Sequence, residues 1–231
     1  NELAIAGIET ITATASGESN QLTTFDTDAT TLNIEGDGEL TIADVDASST
    51  DLETIDASAN TGGVVLGTDS NAVNDQSVTS VTGGSGDDTV HVDGTGVASD
   101  DSFEGGDGND TVRYNGGTSG NNASVVAGFE ALLITDTSTY DLSEFTNSDI
   151  ADVTVSGGSN ATVSAVDGET VTFVNNTTDF TLNGASSGNS ATIGLDNSTA
   201  ENTAGINVGS SSLSTSNLET VTVSSVDPGG D

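Results

Sequence analysis

Two nonapeptides concentrate the residue types that could do chemistry: GGSGDDTVH, from Gly83 to His91, and GGDGNDTVR, from Gly105 to Arg113. Each fits the pattern Gly-Gly-x-Gly-x-Asp-x-apolar-x without a mismatch. Glycine at the first, second and fourth positions, here Gly83, Gly84, Gly86 and Gly105, Gly106, Gly108, lets the backbone enter left-handed or crowded conformations and aim several carbonyls at one point. The sixth-position Asp88 and Asp110 add carboxylates, Asp87 and Asp107 stand close by in sequence, and Val90 and Val112 open strands directed into a core. The chemistry this suggests is capture of a hard divalent cation. Calcium takes about six to eight oxygens, more than one such loop can offer, and two stacked loops can supply them. The two starts are 22 residues apart, four more than two nonapeptides, so a full coil with an enlarged return arc would place one loop above the other. The intervening VDGTGVASDDSFE offers Asp93, Asp100, Asp101 and Glu104 as further donors, Asp101 being counted with the ligands, and its DGTG reads as a degraded loop copy on the opposite edge.

Other readings of these residues are poorer. A solvated Gly/Asp turn would not produce two full matches. A phosphate loop needs a following lysine and a helix, and the surrounding carboxylates would repel phosphate. A helix-loop-helix calcium hand lacks both its helices and its terminal bidentate glutamate. EGDGELTIADVD, from Glu35 to Asp46, is a weaker imitation, either a vestigial metal turn holding Asp37, Glu39, Asp44 and Asp46 or a plain acidic hairpin. His91, the sole histidine, is expected to face solvent, and Arg113 to pair with a nearby aspartate. With no Cys, no Lys and one His, nucleophilic and acid/base schemes are thin. Paired carboxylates could still hydrolyse glycosides, the enzymatic alternative.

These loops belong to a chain of 231 residues with a formal net charge of -36, from 37 Asp and Glu against a single basic residue. Such a charge opposes compaction unless cations screen it, and it excludes nucleic acid and direct insertion into an anionic membrane as partners. Only 32% of residues are hydrophobic and 3% aromatic, but they fall in short alternating runs rich in Val, Ile, Leu and Thr, which argues for order rather than disorder. Cysteine is absent, so no disulfide framework exists. No apolar stretch reaches membrane-spanning length. The Asn1 start and the lack of methionine suggest a segment of something longer.

The runs TLNIEG (31–36), ELTIAD (39–44), LETIDASA (52–59), ATVSA, ETVTFV, DFTLNG, ATIGL, GINVG and LETVTVSS predict strands separated by polar turns, while 66–80 reads as a loop and LSEF and SDIA as single helical turns. The expected fold is all-β, a right-handed parallel β-solenoid. A two-sheet sandwich of immunoglobulin type, the alternative, must fill a core about 10 Å thick and usually calls on aromatics, whereas a narrow coil can be filled by small branched residues stacked rung on rung. GIETITATA, DLETIDASA, GFEALLITD and NLETVTVSS form a degenerate repeat whose glutamates are Glu9, Glu53, Glu130 and Glu219. Three segments are expected: a solenoid over 1–80, the calcium-binding turns over 81–114, and a second solenoid over 115–231.

Over about 31 residues, the two nonapeptides resemble the calcium-binding β-roll of the repeats-in-toxin (RTX) family. The texture of GFEALLITDTSTYDLSEFTNSDIADVTVSGG is similar to the surface-layer and surface-adhesin branch of that family. The resemblance implies calcium as the cofactor, one-step secretion to the cell surface, folding triggered outside the cell, and self-assembly into a surface layer or matrix, with surface polysaccharide as a further partner. A rigid spacer in a secreted adhesin is the alternative role. By position, Gly83, Gly84, Gly86 and Asp88 would form one family loop and Gly105, Gly106, Gly108 and Asp110 the other. Only two clean loops and no catalytic domain are present, which speaks against a lytic role.

Overall fold

Strands of two to nine residues separated by glycine- and aspartate-rich turns can bury an apolar face only against their own equivalents one coil further on. That is the architecture of the computed structural model, which describes residues 2–45, 51–68, 70–75, 77–156, 161–174, 180–186, 188–196 and 213–226. The first coil carries β1 (Glu2–Ile5), β2 (Thr10–Ala15) and β3 (Ser19–Leu22), the second β4 (Thr24–Thr27), β5 (Thr31–Gly36) and β6 (Glu39–Ile42). There follow β7 (Thr54–Asn60) and β8 (Val64–Leu66), β9 (Ser80–Thr82) and β10 (Thr89–Asp93), then β11 (Ser102–Glu104) and β12 (Thr111–Asn115). The chain continues through β13 (Val126–Ala127), β14 (Ala131–Ile134), β15 (Thr139–Asp141), β16 (Asp152–Val155), β17 (Thr162–Val166) and β18 (Thr170–Phe173). It closes with β19 (Phe180–Gly184), β20 (Asn189–Asp196), β21 (Leu213–Ser216) and β22 (Leu218–Val226).

Every pairing between these strands is parallel, which rules out the antiparallel sandwich, and the coil is a right-handed β-solenoid. A front sheet of ten strands, β3-β6-β8-β10-β12-β14-β16-β18-β20-β22, runs its whole described length and through all three expected segments. A six-stranded side sheet, β2-β5-β7-β9-β11-β13, accompanies its first part, with β1 and β4 paired on a third side. Beyond β14 the side sheet ends in an isolated bridge from Ala127 to Asn147, and a four-stranded rear sheet, β15-β17-β19-β21, takes over. From there the chain alternates front and rear. Asp152 pairs with Thr170, a step of 18 residues or two nonapeptide lengths, so the cross-section has narrowed from three sides to two.

The interior is built in columns. On the front sheet Ile42, Leu66, Val90, Val112, Leu132, Val153, Val171 and Ile193 lie in successive register and are all buried. Leu32, Ile55, Val81, Phe103 and Val126 form the equivalent column on the side sheet. The narrowing of the coil is filled by aromatics. Tyr114 meets Phe145 edge-on at 5.4 Å between ring centres, and the Tyr140 hydroxyl shares its one proton between Tyr114 O (2.8 Å) and Asp136 Oδ1 (2.7 Å). All six Phe and both Tyr are buried.

LSEF does form one 3-10 turn, Leu142–Glu144, whereas SDIA makes no helical turn. GINVG and Asp46 lie outside the described residues.

Candidate metal centre

Five successive turns share one edge of the coil, each leading into the front sheet: residues 36–38, 60–63, 83–88, 105–110 and 128–130. The two nonapeptide loops are the third and fourth of these and stack in register. β10 lies on β12 with Thr89 opposite Thr111, the 22-residue step. Between the loops Gly83 N donates to Glu104 O (2.8 Å), Asp107 N to Gly84 O (2.9 Å) and Thr111 N to Asp88 O (2.8 Å). Asn109 N donates to Asp87 Oδ1 (3.0 Å).

Glycine is required here by the closeness of this stacking. A Cβ on Gly83 would sit inside the van der Waals envelope of Gly105 O and 2.5 Å from Asp88 Oδ2. Gly106 adopts φ of +109°, a backbone conformation open to glycine and strained for other residues. The space a side chain would fill is therefore bounded by carbonyl and carboxylate oxygens.

The two sixth-position aspartates sit at the centre of this edge. Asp88 is 1% exposed; its Oδ1 accepts Val64 N (2.6 Å) and its Oδ2 accepts Gly84 N (2.7 Å). Burial pushes its carboxyl up, while the Gly84 and Val64 amides pull it down and the charge of Asp87 raises it further. Asp110 is 0% exposed and accepts Asp88 N at Oδ1 (2.8 Å). Its Oδ2 is buried and accepts a hydrogen bond from no described residue. Burial first, then the charges of Asp88, Glu130 and Asp87, push Asp110 up to about 6, with only the Asp88 amide opposing. A carboxylate oxygen left this way costs free energy unless a proton or cation reaches it.

The structure thus brings together Gly83, Gly84, Gly86, Asp87 and Asp88 in one loop and Gly105, Gly106, Asp107, Gly108 and Asp110 in the next. It does not bring Asp101 to them. Asp101 stands at the far end of β11 and caps its own turn, accepting Ala98 N at Oδ2 (2.8 Å). Asp93 similarly caps the 3-10 turn Gly94–Gly96, at the opposite end of β10 from the loop. The Glu35–Gly38 turn does stack in the same column, two coils below. There the buried Asn60 donates Nδ2 to Gly38 O (3.1 Å) and accepts Gly62 N and Gly63 N at Oδ1 (3.0 and 2.8 Å), so an amide joins those turns. Glu39 accepts Ser19 Oγ (3.2 Å) instead of joining a cluster.

His91 is not the solvent-facing residue expected. It is 9% exposed because Gly67 and the 3-10 turn Val73–Asp75 lie over β10, with Gly67 against the His91 Cβ. Burial lowers the imidazole to about 4, so it is neutral at physiological pH. Arg113, opposite His91 in register and 5% exposed, donates from Nη2 to Thr135 Oγ1 and feels the charge of Asp136, which Tyr140 also holds. Both serve the packing of the outer face.

Glu130 joins this edge although it belongs to neither nonapeptide. Its Oε2 accepts Asp110 N (2.8 Å), repeating one coil on the bond that Asp110 Oδ1 makes to Asp88 N. The signal was present in the spacing: Glu130 follows Asp110 by 20 residues, as Asp110 follows Asp88 by 22, and each directly precedes a front strand.

Among the described residues, no three His, Cys, Asp or Glu side chains gather closely enough to hold a metal by side chains alone. Any cation at this edge must take several of its oxygens from backbone carbonyls, the donors that the close glycine stacking brings forward. Comparison with family models, with curated proteins and with solved structures finds no match to this chain.

Proposed function

We propose that this chain is a calcium-stiffened structural module of a bacterial cell surface, self-assembling into a surface layer or extracellular matrix. One observation carries the reading: the two nonapeptide loops lie on adjacent coils with Asp88 and Asp110 buried between glycine turns, and the all-oxygen donor set suits a hard cation. The candidate ligands are the carboxylates of Asp87, Asp88, Asp107 and Asp110 with carbonyls of Gly83, Gly84, Gly86, Gly105, Gly106 and Gly108. Bound there, calcium supplies the positive charge that this edge lacks.

The residues set the coupling to stiffness. Asp88 and Asp110 belong to different coils, and the charge of Asp88 raises the cost of ionising Asp110. Neutralising the pair joins the coils and turns binding free energy into folding free energy, about 4 kcal/mol at a thousandfold excess over the dissociation constant. The remaining acids keep the surface soluble and can bridge neighbouring copies through further cations. The continuous parallel coil is consistent with a rigid or self-assembling scaffold. The burial of every aromatic leaves none as a stacking platform for a sugar, which favours a structural role over a polysaccharide-acting enzyme. Secretion and surface location follow from the resemblance of the loops to the RTX family.

A calcium titration of the whole chain, followed by circular dichroism and light scattering together, tests this. The expected result is a rise in β signal and in particle size, reversed by EGTA and not reproduced by magnesium. A rise in β signal with the particle remaining monomeric would favour the adhesin-spacer role, and no change in either would remove the reading.

A further inference from the structure

The buried Asp110 Oδ2 has a second neighbour besides the nonapeptide below it. Both this oxygen and Gly128 O lie within 2.7 Å of the point that a Cβ on Gly105 would occupy, so the two oxygens are no more than about 5 Å apart. The same construction holds one coil earlier, where Asp88 Oδ2 and Gly105 O both lie within 2.5 Å of the Cβ position of Gly83. The pattern therefore repeats with a shift of one coil: a first-position glycine, the sixth-position aspartate of its own loop, and the first carbonyl of the next turn. The next carboxylate up the column repeats too. Asp110 receives Asp88 N, and Glu130 receives Asp110 N.

One difference separates the two sets. In the lower one Gly84 N satisfies Asp88 Oδ2 at 2.7 Å, whereas no described residue donates to Asp110 Oδ2. Two oxygens no more than about 5 Å apart lie within the span that one calcium bridges at about 2.3 to 2.6 Å from each, and Glu130 adds charge on the adjacent coil.

We propose that the turn GFE, Gly128 to Glu130, which lacks the nonapeptide pattern, closes a second divalent-cation site with Asp110, so that the cation column runs one coil beyond the recognisable loops. This rests on the cation reading of the nonapeptides and extends it to residues outside them. Gly128 contributes its carbonyl, Glu130 a carboxylate and Asp110 its free oxygen. The coil that follows the site carries the start of the rear sheet, so the ion ties the three-sided part of the solenoid to the two-sided part.

Native mass spectrometry of the full chain with calcium counts the ions directly. Glu130→Gln keeps an oxygen acceptor for Asp110 N while removing the charge, and is expected to hold one ion fewer than the wild type. An unchanged count overturns the second site and leaves the first untouched; no tightly held ion in the wild type overturns both. Asp88→Asn provides a second reading should Glu130→Gln fold poorly. It is expected to lose the lower ion and keep the upper one, and a protein left with neither contradicts an independent site at Asp110 and Glu130.

Discussion

Gly83→Ala is expected to lower the stability of the chain by about 3 kcal/mol and to abolish calcium-dependent stabilisation with it. The added methyl cannot be absorbed by a side-chain rotation, because the atom it meets is a backbone oxygen, Gly105 O, of the neighbouring coil. The coils must part locally, and the Gly83 N to Glu104 O and Asp107 N to Gly84 O hydrogen bonds lie in the segment that moves. Gly96→Ala is the control: the nearest atom to its added Cβ is Asn74 Nδ2 at 3.2 Å, a side-chain atom bonded to Asp93 O, and a shift of a few tenths of an ångström there is expected to cost far less than the backbone clash at Gly83. Urea denaturation with and without calcium measures both variants. A cost under about 1 kcal/mol for Gly83→Ala would mean the loops are not stacked this closely.

Asp110→Asn is expected to change sign with the solvent. In calcium-free buffer at neutral pH the wild-type carboxylate is ionised although its folded-state pKa is raised to about 6, so its charge opposes the fold. A group with a raised folded pKa stabilises the fold below its unfolded value near 3.8 and loses that contribution as pH rises through about 6. The amide removes this opposition, still accepts Asp88 N, and is expected to raise stability by about 2 kcal/mol. With calcium the order reverses, because the variant lacks the carboxylate that both coils share. Thermal melts of wild type and variant in EGTA and in calcium test this. A variant less stable than wild type in both buffers would make Asp110 a purely structural residue.

Local patterning was enough to read much of the fold. TLNIEG forms β5 over the residues expected, and ATVSA, ETVTFV, DFTLNG and ATIGL each fall on a strand, because alternation of branched and polar residues is a local property that survives any tertiary arrangement. The stacking of the two nonapeptides was legible from their spacing, which matches one coil. Relations between faces were not legible. Glu9 and Glu53 open side-sheet strands two coils apart, whereas Glu130 precedes a front-sheet strand and Glu219 lies within one, so the shared apolar-Glu-apolar signature marks a strand start without saying which sheet it joins. The change from three sides to two has no local mark, since it depends on whether the return arc pairs with the coil below. His91 is buried by a loop some twenty residues earlier, and Glu130 joins the column through register alone.

Anomalous diffraction from crystals grown in millimolar calcium locates the ion itself. An anomalous peak is expected on the turn edge between the loops 83–88 and 105–110, within coordination distance of Asp88 Oδ2 and Gly105 O. Stacked loops with no peak between them, in crystals that hold calcium elsewhere, would contradict calcium binding at this edge.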